Sequence, residues 1–209
     1  MNALPRLLRL ATLGVLAAGL AGCISLFPND KPAQLYRFDG APAAAAGPGG
    51  LVEAQFGIAR TGGGFVQAAS GDRILTMTGS KAAYIAGARW VSPAAVLFQE
   101  ALSRAFERAA GPARLLQRGE VGKADYQLRV DVTRFETVYD RGEHGAPLVA
   151  VELRATLTNA DRSFTAVRPF RSEVRASSNR VSAIVGAYDQ AVGQTLGELT
   201  AWANNRGAG

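Results

Sequence analysis

Thiols, imidazoles and paired carboxylates do much of the chemistry that proteins perform, and this sequence is sparing with the first two. Cys23 and His144 are the only cysteine and the only histidine among 209 residues. One thiol closes no intramolecular disulfide, and one of each builds no zinc site. No Gly-x-Ser-x-Gly nucleophile elbow occurs. His144 sits beside Glu143 in a polar stretch, Asp140 to Pro147, which reads as a solvated hairpin loop rather than as the setting of a general base. Carboxylates such as Asp39 and Glu53 have no spacing that singles them out. Thr61-Gly62-Gly63-Gly64 invites a phosphate-loop reading, yet it lacks the Gly-Lys-[Ser/Thr] ending, and Gly79-Ser80-Lys81 runs in the wrong order. The residues predict no catalytic site, no metal and no cofactor.

The thiol has a different use. Arg6 and Arg9 form a basic head, Leu10 to Gly19 an apolar core, and Ala21 and Gly22 supply small residues. That is a secretory signal pattern, and the apolar run is too short to span a bilayer, which takes roughly 20 residues. Leu20-Ala21-Gly22-Cys23 resembles a bacterial lipobox. The resemblance implies cleavage between Gly22 and Cys23, an S-diacylglycerol on the Cys23 thiol and an acyl group on the freed amine. Small side chains let the extended backbone enter a peptidase cleft, and a thiolate is the nucleophile that forms the thioether. An ordinary signal peptide with an incidental cysteine fits less well, since all four lipobox positions match. Several acyl chains, at about 0.8 kcal/mol per buried methylene, make a lasting anchor. Ile24 stands where an aspartate usually retains such proteins in the inner membrane, so it points to the outer membrane.

Cleavage before Cys23 leaves 187 residues, enough for one domain, and lowers the formal net charge from +6 to +4. Arg168, Arg171 and Arg175 gather near one strand; they read as a basic face for anionic headgroups or as solvated strand residues, the second fitting scattered arginines better. An exported, lipid-anchored protein is a poor candidate for nucleic-acid binding. With its thiol committed to lipid, the domain depends on its core alone.

Ser25 to Lys31 reads as a tether, Tyr36-Arg37-Phe38 as a short strand, and the glycine- and alanine-rich stretch at 40–50 as a loop. Strands are expected at 51–58 and 72–77, with a turn at 61–64. Ser92 as cap and Pro93 in the first turn open a helix whose apolar face is Ala94, Leu97, Phe98, Ala101, Leu102, Ala105 and Phe106, with Glu100 and Arg104 four apart on the other side. Gly111-Pro112 ends it. Alternation from Asp125, slipping before Phe135, predicts a bulged strand, followed by strands at 149–157 and 163–174 in a meander. A closing helix at 179–204 carries an apolar stripe from Val181 to Trp202, with Gly186, Gly193 and Gly197 on its far side. The expected fold is α+β: a mainly antiparallel or mixed sheet with two amphipathic helices on one face, whose apolar surfaces look just sufficient to cover one another. The domain boundaries read as a signal peptide at 1–22, a lipidated terminus and tether at 23–34, and one domain at 35–205.

Arg89-Trp90-Val91-Ser92-Pro93 stands out at the helix entrance. Arg89 and Trp90 are residue types frequent at binding hot spots, which makes them the candidate partner-binding residues. Packing of Trp90 on the first helical turn, with Arg89 paired locally, is the alternative and the simpler reading. Together the lipobox, the Tyr-x-Phe strand, the Arg-Trp-x-x-Pro entry, the meander and the closing helix resemble the ABC-type transport auxiliary lipoproteins, the PqiC/YmbA-like proteins associated with Mce-type lipid transport. The resemblance implies a non-enzymatic outer-membrane lipoprotein on the periplasmic face of a Gram-negative envelope. Its partners would be the membrane, a periplasmic Mce-family protein and an ABC transporter, with self-association open. A periplasmic lipid carrier and an activator of a cell-wall enzyme are the competing expectations.

Overall fold

A computed structural model describes residues 32–40, 54–109, 111–117 and 119–207. The expected signal peptide, Cys23 and the 41–50 loop lie outside them. Eight strands form one mixed sheet: β1 (Gln34–Tyr36), β2 (Phe56–Arg60), β3 (Arg73–Thr78), β4 (Lys81–Trp90), β5 (Ala113–Leu116), β6 (Tyr126–Val138), β7 (Leu148–Asn159) and β8 (Thr165–Arg175). Among the described residues two α-helices, α1 (Ala94–Arg108) and α2 (Val181–Gly207), and a short 3-10 helix at Gln67–Ala69 accompany the sheet. The meander β6–β7–β8 is antiparallel throughout, as its alternation predicts.

The opposite edge of β6 is shared. β2 runs parallel to its start, pairing Ile58 with Tyr126, and β3 runs parallel to its end, pairing Thr76 with Thr137. Between them only Phe65 bridges to Val132. The sheet therefore forks, one branch ending in β5 and the other in β4 and β1.

Local details depart from expectation. Pro93, not Ser92, stands at the N-cap of α1, and no side chain caps it. The N–H groups of Ala94 and Ala95 donate instead to the carbonyls of Gly71 and Ser70, so a neighbouring loop satisfies donors that a helix start leaves open. β4 and β5 have no clear sequence pattern. Against Ile74 the ladder slips: Arg73 pairs with Arg89 while Leu75 pairs with Tyr84, and Gly87 takes φ 67° inside the bulged stretch. Gly193 is buried, unlike exposed Gly186 and Gly197, so the three glycines do not share a solvated face.

The bulge in β6 falls between Val132 and Arg134 and organises the core. Before it, Leu128 and Val132 point inward; the extra residue reverses the parity, so Phe135 and Thr137 point inward after it. Phe135 then meets Phe38, Phe65, Trp90, Phe98 and Tyr188 at centroid distances from 4.8 to 6.5 Å. Because Phe98 belongs to α1 and Tyr188 to α2, both helices cover the same sheet face. The Tyr188 hydroxyl accepts a hydrogen bond from Thr137, and full burial raises its pKa. Asp189 on α2 clasps the chain after β1: its carboxylate accepts the N–H groups of both Asp39 and Gly40 at 2.8 Å. Gly40, at φ 61°, lies so close that an added Cβ would stand 2.9 Å from Val192 and 3.4 Å from Ala101.

Candidate functional site

Trp90 closes β4 beside Tyr36 of β1. Its ring is 2% exposed and packs edge-on against Phe38 and Tyr188 at 5.1 and 5.2 Å. This corrects the expectation that Trp90 offers a partner-binding edge: an indole walled in by three aromatic rings presents nothing to a partner. Arg89, on the opposite face of the strand, pairs with Asp72 at 2.9 Å and remains half-exposed. Beside Arg89, the motif and its neighbour strand expose aliphatic side chains. Val91, whose N–H donates to the carbonyl of Tyr36, is 50% exposed, and Leu35 of β1 is 62% exposed.

Register places these residues together. Leu35 pairs with Arg89, so Leu35, Arg89 and Val91 share the sheet face turned away from Trp90. Val96, 45% exposed, lies one turn before Glu100 on α1, and Glu100 is 3.7 Å from the Arg37 guanidinium just beyond β1. Pro93 is exposed between them. The sequence signal was there in Val91, an apolar residue out of phase with a buried tryptophan.

A second feature lies at the fork. Where β2 and β3 separate along β6, a cleft of about 620 Å³ opens beside α1. Val130 and Val132 form its floor, Phe65, Phe98, Leu115 and Leu116 its apolar walls, with Gln99, Ser103 and Glu120 among the polar lining. The expectation that the apolar faces just cover one another fails here, where β2 and β3 leave the middle of β6 to a single bridge. The 61–65 stretch reaches across instead. Its glycines permit that approach: a Cβ on Gly63 would stand 2.0 Å from the Val130 carbonyl oxygen, and the Gly64 N–H donates to Asp131.

The outer sheet face is a lattice of alternating charge. Arg129 pairs with Asp131, Arg134 with Glu136 and Glu173, Arg171 with Glu173, and Arg175 with Asp140. Arg168 sits 5.1 Å over the Phe170 ring. The three arginines are thus neutralised or stacked, and a basic face for headgroups does not form. Hydrogen bonding to Arg175 holds the Asp140 carboxyl below its ordinary range, and Arg171 does the same for Glu173. His144 is exposed in its turn; Asp39 pairs with Arg37 and Arg104, and Glu53 lies outside the described residues. Among the described residues no three histidine, cysteine or acidic groups are placed to hold a metal, and no helix is long and apolar enough to cross a membrane.

Comparison with known proteins accords with this arrangement. The sequence has no match among curated proteins. The fold is shared with a crystal structure from Xanthomonas campestris, of family DUF330, at TM-score 0.69 and 24% identity, covering 84% of this chain and 97% of that one. It is shared also with an uncharacterized protein of solved structure at TM-score 0.65 and 14% identity, covering 83% and 99%. Residues 37–199, nearly the whole described domain, match the family described as the ABC-type transport auxiliary lipoprotein component, and the chain belongs to that family.

Proposed function

We propose that this protein is a non-enzymatic, lipid-anchored component of an intermembrane lipid transport system, held at the outer membrane by Cys23 and docking a periplasmic Mce-type protein there. The family match over residues 37–199 carries the reading. The lipobox supplies the anchor, Ile24 the outer-membrane address, and the domain a folded body with one packed aromatic core. Its contribution is position: acyl chains fix one end, and a folded surface holds the distal end of a bridge.

The test is co-purification from envelope membranes of cells making the native protein, with the transporter's Mce subunit as readout and a cell-wall synthase as comparison. Recovery of the Mce subunit, lost on Cys23→Ala, is the expected result. Recovery of the synthase alone sinks the transport reading. The cleft at the fork favours one further reading, a lipid carrier, because its apolar floor could take an acyl chain. Organic extraction of the purified domain distinguishes them: a stoichiometric lipid supports the carrier, a lipid-free domain the dock.

A further inference from the structure

We infer that the face formed by Leu35, Val91, Pro93 and Val96 is the membrane-contacting side of the domain, resting on the bilayer that holds the Cys23 lipid. The inference depends on the anchor proposed above and goes beyond it, since an anchor alone sets no orientation. Leu35, Val91, Pro93 and Val96 are all exposed; Leu35 lies opposite Arg89 in the register of β1 and β4, and the Arg37–Glu100 pair ties the end of β1 to the turn of α1 that follows Val96. Leu35 comes only twelve positions after Cys23.

Chain length decides the occupant. The eleven peptide units from Cys23 to Gln34 span at most about 38 Å when fully extended. A domain of this length is about 40 Å across. The end of β1 is therefore held nearer the bilayer than the domain's own diameter, and the aliphatic face begins at that end. β8, at another edge of the sheet, is five strand steps from β1. The ion pairs Arg89–Asp72 and Arg37–Glu100 frame the patch with polar groups suited to the headgroup layer. Each valine or leucine placed at the interface removes apolar area from water. The tether already supplies the loss of translational freedom, so a small patch is enough to fix orientation.

The native thiol is consumed by lipid in the mature protein, so a cysteine placed elsewhere is the single labelling site. Mature lipidated protein carrying Leu35→Cys, Val91→Cys or, as a control on β8, Val167→Cys is labelled with a nitrobenzoxadiazole dye. It is then reconstituted in phosphatidylethanolamine–phosphatidylglycerol vesicles containing nitroxide lipids. Val167 is 57% exposed, comparable with the test positions. The expected result is quenching by nitroxide at 35 and 91 at least about twofold above that at 167, with blue-shifted emission. Protein that floats with the vesicles yet shows equal quenching at all three positions overturns this inference and leaves the anchor standing. Failure of the lipoprotein to float removes the anchor and this inference together. Dye protection in vesicle-free domain that rises with protein concentration assigns the face to a second copy and also overturns it.

Discussion

At the scale of single residues, the motif before α1 separates two properties that sequence joins. Trp90 and Val91 are neighbours, yet one is enclosed by Phe38, Phe135 and Tyr188 and the other faces solvent. Trp90→Ala leaves a cavity where three rings meet, and large-to-small changes of this kind cost about 3–5 kcal/mol. In a domain of this size that lowers the melting temperature by roughly 10 °C. Calorimetry of the soluble domain checks it. Loss of partner capture with unchanged melting would return Trp90 to the surface and contradict its placement. Arg89→Ala breaks only a half-exposed pair with Asp72, a kind of contact worth about 0–1 kcal/mol.

Among the elements, what the sequence made legible was what alternates or repeats on one face. β6, β7 and β8, both helices and the bulge ahead of Phe135 could be read from pattern, because each buries one side against the core. β4 was illegible for a physical reason: its ladder is broken by a bulge spanning four residues opposite Ile74, so period two never accumulates. β5 is four residues long, shorter than any periodicity can resolve. The N-cap of α1 was misread because its donors are satisfied by carbonyls of Ser70 and Gly71, distant partners that a local motif does not encode. The glycine run at 61–64 was readable as a turn but not as the floor-crossing stretch beside a cleft. Its two central glycines make opposite predictions. Gly63→Ala drives a methyl into the Val130 carbonyl and destabilises by about 1–3 kcal/mol. Gly62→Ala meets nothing within 4 Å and stays within roughly 0.5 kcal/mol of the parent. Urea titration of the two variants compares them directly.

For the whole molecule, acid stability follows from the charged lattice. Asp125, Asp131, Asp140 and Glu173 are each held below their ordinary values, first by hydrogen bonds to Lys123, Arg129, Arg175 and Arg171 respectively. Depressed carboxyl values mean that the unfolded chain binds protons first. Their stabilisation is complete above the ordinary carboxylate range, near 3.8 for Asp and 4.5 for Glu, and is lost as pH falls through the folded values. Melting temperature therefore falls on acidification below about pH 4.5. Arg175→Gln, which removes the partner of Asp140, makes that fall shallower, and melting curves from pH 7 to pH 3 measure the difference. The clasp of Asp189 on the N–H groups of Asp39 and Gly40 has a consequence in time as well as in space. A ribosome or an export channel delivers residue 39 about 150 positions before its holder, so the front of the chain waits unfastened until nearly the last helix has arrived. The fold is latched by its last helix, and a chain cut short before Asp189 would leave the beginning of the domain unfastened as well as losing the helix.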